Sequence, residues 1–314
     1  MSLPQPSGAR LLSLGTSLPD NVVTNDDLAE RVDTTHDWIV DRTGIHERRI
    51  GGTTSGLATD ASRQAIERSG IDPSTIDLLI LATTSPDRRV PATASTVQEN
   101  LGLSCGAMDL NAACSGFVYG LIAAHGFINL GHRRILVVGA ETLSRITNWD
   151  DRSTCILFAD GAGAAVIERT DGEADLKGWH VASNGALEDT LFCEFDGKLI
   201  MSGGAIFKNA VLAMERSALH SLEMADLTPD DIDIVVPHQA NVRIVEASCK
   251  RLGIPFEKTS MTIHRTGNTS SASVPLALDL AVQENRISKD DNVLLVGFGA
   301  GMTSASAVLK WNGV

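Results

Sequence analysis

The stretch GAMDLNAACSGFVYGLIAAHGFINLG (residues 106–131) decides the fold class. MDL ends an apolar run that reads as a strand, NAACSG is a corner of small residues, and FVYGLIAAHGFINL continues with helical periodicity. A buried strand that turns straight into an apolar helix is a building block of α/β proteins. Working outward, further Val/Ile/Leu runs flanked by Gly and polar turns read as buried strands: 78–85, 135–141, 163–168, 233–238 and 292–299. No Pro/Gly/Ser-rich linker divides the chain, so its parts are expected to share a core.

The same pattern occurs twice. RQAIERSGIDPSTIDLLILA (63–82) lies against SALHSLEMADLTPDDIDIVVP (217–237), and Pro73, Ile76 and Asp77 match Pro229, Ile232 and Asp233 at a displacement of 156. The closing strands ILVVGAETLS and VLLVGFGAGMT are displaced by 158. We expect two pseudo-symmetric halves, 1–170 and 171–314, whose strand ends meet near one centre, so that either half can supply functional groups.

Length and composition bound the function. With 314 residues and 43% hydrophobic residues the chain can bury a large core without disulfides or metals. Twenty-six Lys and Arg against 39 Asp and Glu give a net charge of −13, which argues against general nucleic-acid or anionic-membrane binding. No run approaches the ~20 apolar residues of a membrane span, and the start carries no signal-peptide pattern, so a cytoplasmic protein is expected. The five cysteines (105, 114, 155, 193 and 249) form no CxxC and read as free thiols.

Cys114 stands apart from the other four because of its corner. A thiol at a helix N-terminus feels the positive end of the macrodipole, which favours thiolate. Two segments offer partners. VVPHQANVRI (235–244) places His238 directly after a buried strand, and HRTGNTSSASVP (264–275) offers Asn268 in a Gly-containing turn before a helix start. Cys105, Cys155, Cys193 and Cys249 read as packing residues, and the remaining histidines have no comparable frame.

NAACSGF, VPHQANVRI and HRTGNTSSAS, in that order and spacing, resemble the Cys–His–Asn signature of the β-ketoacyl-acyl-carrier-protein synthase III family. The likeness extends over essentially the whole chain, through DTTHDWIVDRTGIHERRI (33–50), DDRSTCILFADGAGAAV (150–166) and GFGAGMTSA (297–305). It implies a thiolase-like, duplicated α-β-α-β-α layered fold. It also implies a homodimer that condenses an acyl-CoA primer with malonyl on acyl carrier protein, starting fatty-acid chains.

By that resemblance Cys114, His238 and Asn268 are catalytic, and the backbone N–H groups of Cys114 and Ala300 form an oxyanion hole. Thr34, Trp38 and Arg152 hold the CoA nucleotide, while Met201, Gly203, Phe207, Ala240 and Asn241 line the pantetheine channel. Lys208, Arg243, Lys250 and Arg251 are the expected carrier-protein face. Val90 and Leu143 belong to the primer pocket; Val90 lies in the segment 83–95, which matches a family loop that reaches across a dimer interface to cap that pocket, and it leaves space where acetyl-preferring members often carry Phe. Arg88, Arg89 and Arg145 raise the alternative of a carboxylate-bearing primer such as glutaryl-CoA, for a biotin precursor. A polyketide or quinolone starter synthase is a further alternative, and a noncatalytic carrier-binding protein the cross-class one. No metal or bound cofactor is implied.

Other classes fit less well. Only 13 residues follow Gly301, too few for the helix and return strand of a nucleotide-binding unit. No second cysteine lies at 297–301 for a degradative thiolase, and the GxSxG of a serine hydrolase is absent.

Overall fold

The apolar runs form strands that lie side by side in two sheets. A computed structural model describes residues 8–313. The first half holds β1 (Gly8–Ser17), β2 (Val22–Thr24), β3 (Glu47–Arg49), β4 (Leu78–Ala82), β5 (Gly106–Leu110), β6 (Arg134–Thr142) and β7 (Asp160–Thr170). The second holds β8 (Leu176–Ala182), β9 (Leu191–Phe192), β10 (Ile200–Met201), β11 (Ile234–Pro237), β12 (Asn292–Gly299) and β13 (Thr303–Lys310). The helices are α1 (Asn25–Ala29), α2 (His36–Thr43), α3 (Thr54–Ser69), α4 (Thr93–Asn100), α5 (Gly116–Asn129), α6 (Arg152–Cys155), α7 (Gly203–Met224), α8 (Val242–Leu252), α9 (Ile263–Thr266) and α10 (Ser273–Gln283).

One sheet runs β1-β7-β6-β4-β5 and the other β11-β12-β13-β8. The internal repeat maps onto them. α3, a Pro73 turn and β4 match α7, a Pro229 turn and β11, while β6 matches β12. The partner of β5 in the second half is reduced to an isolated parallel bridge between Val235 and Thr259.

Side-chain alternation along the strands builds the layers. Ile80, Val137, Val236 and Leu295 face inward onto α5 and α10, which form a central layer between the sheets. Leu79, Leu81, Leu136 and Val138 face the other way, onto α3 and α4. Val235, Leu294 and Val296 likewise face α7 and α8. The order is therefore α-β-α-β-α. None of the helices among the described residues is long and apolar enough to cross a membrane.

The sequence reading missed β1, β8 and β13. Each carries Ser, Gly, Thr or Lys within its run, which breaks the apolar signal. Tertiary contacts satisfy these groups instead: Ser306 Oγ in β13, for example, donates to Ser217 O of α7 at 2.6 Å.

Candidate active site

The strand–corner–helix read from residues 106–131 is present as β5, a 3-10 turn at Ala113–Ser115 and α5. Asn111 Oδ1 accepts from the Ala113 N–H at 3.2 Å, and Ala113 adopts a left-handed φ of 47°. That conformation is costly for a residue with a Cβ, and such strain concentrates at functional turns. The start of β13 closes over the turn: Thr303 Oγ1 donates to Ala112 O at 3.0 Å. Gly299 fits only without a side chain, since a Cβ there would lie 2.5 Å from the Cys114 backbone N.

His238 follows β11 as expected, anchored by its N–H to Val296 O at 2.8 Å. The ring packs edge-on to Phe298 with centroids 5.5 Å apart. Its Nδ1 is sealed from solvent and finds no partner among the described residues, which leaves Nε2 as the nitrogen a ligand could meet. Asn268 is fixed by two backbone bonds, its N–H to Leu157 O and its carbonyl from Ala159 N–H, each 2.9 Å. Its Oδ1 accepts from Ser270 N–H at 2.9 Å, so the amide NH2 is the end left to donate.

Cys114, His238 and Asn268 line one cavity of about 120 Å³. Met201, Gly203, Phe207, Ala240 and Asn241, expected along the channel, line it too. Asn241 also has structural work: its Oδ1 caps α8 at Arg243 N–H (2.9 Å), and its NH2 donates to Arg42 O (2.7 Å). Outside this cavity, the guanidinium carbons of Arg152 and Arg42 lie 4.5 and 4.1 Å from the Trp38 ring centroid. Arg152 also donates to Asp33 O at 2.6 Å, beside Thr34, whose buried Oγ1 has no partner among the described residues.

Cys114 borders a second cavity, of about 250 Å³, walled by Thr84, Leu143, Ile146, Leu199 and Ala300. Leu143 and Ala300 thus both line the cavity at Cys114. Ala300 does not adopt a positive φ; Gly301 does, at 67°, so the turn places no demand for glycine on position 300. Cys193, read from sequence as packing, also lines this cavity.

The arginines lie elsewhere. Arg145 bonds Asp87 (3.2 Å) and Pro86 O (3.1 Å), while Arg88 and Arg145 line a separate surface hollow. Arg89 pairs with Asp196 at 3.0 Å, both well exposed, and Val90 is 82% exposed. Within this chain, therefore, Val90, Arg88, Arg89 and Arg145 do not line the cavities at Cys114. The physical reason is that the 86–91 segment runs over the surface, where its charges find local partners. Lys208, Arg243, Lys250 and Arg251 are exposed on α7 and α8. Arg243 lies 5.9 Å from the Phe207 ring at the channel, and Arg251 pairs with Glu215 at 2.6 Å.

Burial sets the ionisation of the site. It pushes the Cys114 thiol up to about 12, against the opposing influence of the Ser270 hydroxyl and the residue's own amide. The expected thiolate-favouring corner is thus corrected: desolvation outweighs the helix terminus, because Cys114 is enclosed by both halves. Burial likewise holds His238 down at about 3, so the imidazole is neutral and acts through hydrogen bonding rather than as a cation. Sequence reasoning also missed Phe298 and Phe158, whose only signal was proximity to the glycine turn and to the DDRSTCILFADG motif.

Residues 108–185 and 222–311 match the two family descriptions for 3-oxoacyl-[acyl-carrier-protein] synthase III and its C-terminal part. A β-ketoacyl-[acyl-carrier-protein] synthase III of Caldanaerobacter subterraneus is 44% identical, over 97% of this chain and 98% of the relative. That of Methylococcus capsulatus is 46% identical, over 96% and 99%. The chain belongs to the 3-oxoacyl-[acyl-carrier-protein] synthase III family. It is a condensing enzyme of the ketoacyl synthase III type, with the thiolase-like duplicated fold of that family. The crystal structure of the Aquifex aeolicus synthase III superposes with a TM-score of 0.95 at 42% identity, covering 97% of this chain and all of that one. A priming β-ketosynthase from a polyketide biosynthetic pathway superposes at 0.94 with 34% identity, covering 100% and 99%.

Proposed function

We propose that the protein is a β-ketoacyl-acyl-carrier-protein synthase III that loads an acyl group from acyl-CoA onto Cys114 and condenses it with malonyl on acyl carrier protein. The Cys114 thiol proton passes to the departing CoA sulfur as the Cys114 sulfur attacks the thioester carbonyl, while His238 stays neutral with its proton on Nε2. The oxyanion is met by backbone N–H groups at Cys114 and Ala300. Collapse expels CoA, which takes the proton and leaves the acyl-cysteine.

In the second half, malonyl loses CO2 and the electron pair of the broken C–C bond becomes an enolate. His238 Nε2–H and the Asn268 amide donate to its oxygen, a role that needs two donors and no positive charge. The enolate carbon attacks the acyl carbonyl, the bond to Cys114 breaks, and sulfur regains a proton from solvent. The observation that carries this reading is one cavity holding a thiol, a neutral imidazole whose second nitrogen is sealed, and an amide whose oxygen is already tied.

Trp38, Arg152 and Thr34 would take the adenine end of CoA, the ring inserting beside Trp38 in place of the Arg152 contact. Met201, Gly203, Phe207, Ala240 and Asn241 would take pantetheine. Lys208, Arg243, Lys250 and Arg251 would meet the acidic carrier protein at the channel mouth, and two copies would pair as a homodimer. The cavity beyond Cys114 favours an apolar primer, since Leu143, Ile146 and Leu199 line it. A glutaryl primer is the weaker reading on the same observation.

The test is intact-protein mass spectrometry after incubation with acetyl-, isobutyryl-, octanoyl- or glutaryl-CoA, on wild type and Cys114→Ala. We expect one acyl adduct, absent in the variant, with apolar primers ahead of glutaryl. Glutaryl in first place would overturn the primer assignment, and no adduct from any primer would overturn the mechanism.

A further inference from the structure

Glu141, near the end of β6, is fully buried. Burial raises its pKa, and the groups opposing that are hydrogen-bond donors. From the 83–85 loop, the Thr84 and Ser85 N–H groups each donate to Oε2 at 3.0 Å. The hydroxyls of Thr83 (3.2 Å), Thr84 (3.0 Å) and Ser85 join them. From the other half of the molecule comes Ser271 Oγ, 3.1 Å from Oε1 and 2.8 Å from Ala82 O. Ser270 Oγ, in the same turn, is buried and has no hydrogen-bond partner among the described residues.

A buried carboxylate is an expensive way to hold two loops together, because apolar packing does so without the desolvation cost. What sets this one apart is what it holds. Thr84 walls the cavity beyond Cys114, as does Ser270. The turn that begins at Asn268 is fixed through Ser271.

We propose that Glu141 is a positioning residue of the condensing site: its carboxylate ties the 83–85 loop of one half to the 268–271 turn of the other, so that the shape of the primer cavity and the aim of the Asn268 amide are set together. This inference rests on the function proposed above. Glu141 touches no substrate in this arrangement; it acts through Thr84 on primer choice and through Ser271 on condensation.

Glu141→Gln keeps the shape but turns an NH2 toward groups that are themselves donors. Two quantities are measured on the full chain: the ranking of acyl-CoA primers that label Cys114, and turnover of the loaded enzyme with malonyl-acyl carrier protein. The ranking should change, and turnover should fall about tenfold relative to labelling. A common factor on every primer and both half-reactions is what lost folded enzyme alone would give. That result, or an unchanged ranking with turnover within about twofold, overturns the proposal.

Two milder variants keep the test decisive if Glu141→Gln fails to fold. Ser271→Ala should slow condensation about fivefold with the primer ranking intact, and Thr84→Val should alter the ranking while loaded enzyme still condenses. Both behaving as wild type overturns the proposal. Wild type that no acyl-CoA labels would overturn the proposed function itself, and this inference with it, before any variant is made.

Discussion

The turns at 111–116 and 268–273 are the same device used for opposite ends. In each, an Asn Oδ1 accepts from the amide two residues on, at 3.2 Å for Asn111 and 2.9 Å for Asn268. In each the following position is left-handed, with φ 47° at Ala113 and 48° at Ser270. Each then starts one of the two central helices. Residues one step further on, Cys114 and Ser271, are therefore counterparts at a displacement of 157. The difference lies in what faces them. Gly299 opposite Cys114 leaves room, and His238 stands at the end of β11. The matching positions in the other half are Glu141 and Ala82, and Ser271 bonds both. One pseudo-equivalent position is kept open, as a cavity with a thiol at its wall, and the other is filled with a hydrogen-bonded knot. A duplicated fold needs only one of its two symmetric centres for chemistry, and the other is free to be sealed.

The largest test of that contrast is Cys114→Ala, which should abolish acyl labelling and reduce condensation about 1000-fold or more, read by intact mass and product formation. Next is Gly299→Ala, which fills the open side: the added Cβ meets the Cys114 backbone, so we expect about 100-fold lower turnover and a loss of about 1–3 kcal/mol in denaturant unfolding. Asn268→Ala removes a single donor and should cost condensation about 100-fold, equivalent to about 3 kcal/mol, while Cys114 labelling persists. A matching loss of labelling would show that the amide serves the first half-reaction instead.

Acid stability sharpens the contrast further. His238 sits low at about 3 against an ordinary 6.5, so its contribution is fully present above about 6.5 and is lost as pH falls toward 3. The stability gap between wild type and His238→Gln should therefore move against wild type across that window, measured by denaturant midpoints at stepped pH. The smallest effect belongs to the surface: Arg89→Ala breaks an exposed pair with Asp196 and should change stability by about 0.5 kcal/mol or less.

The legible parts of the site were those written locally. Cys114 was marked by its corner, His238 by the end of a strand, and Asn268 by a Gly turn before a helix, each within about a dozen residues. The layers followed because β4, β6, β11 and β12 are near-continuous Val/Ile/Leu runs. What the sequence concealed is tertiary. Glu141 draws its partners from positions 56 to 130 residues away, and nothing in VVGAETLS distinguishes its carboxylate from an exposed one. The thiol's ionisation depended on enclosure by both halves, which no helix-terminus rule contains. Arg89 and Arg145 looked like parts of a primer clamp in one dimension, yet within this chain Asp196 and Asp87 pair with them at the surface.

Because Cys114 borders both cavities, it stands at a junction between two lanes. Under the function proposed above, the attached primer would occupy the lane beyond the thiol, and CoA would have to leave the other lane before the arm of the carrier protein entered by it. On that reading, order of events would be imposed by right of way. A lingering CoA would be felt as congestion for the carrier protein rather than as competition for the thiol.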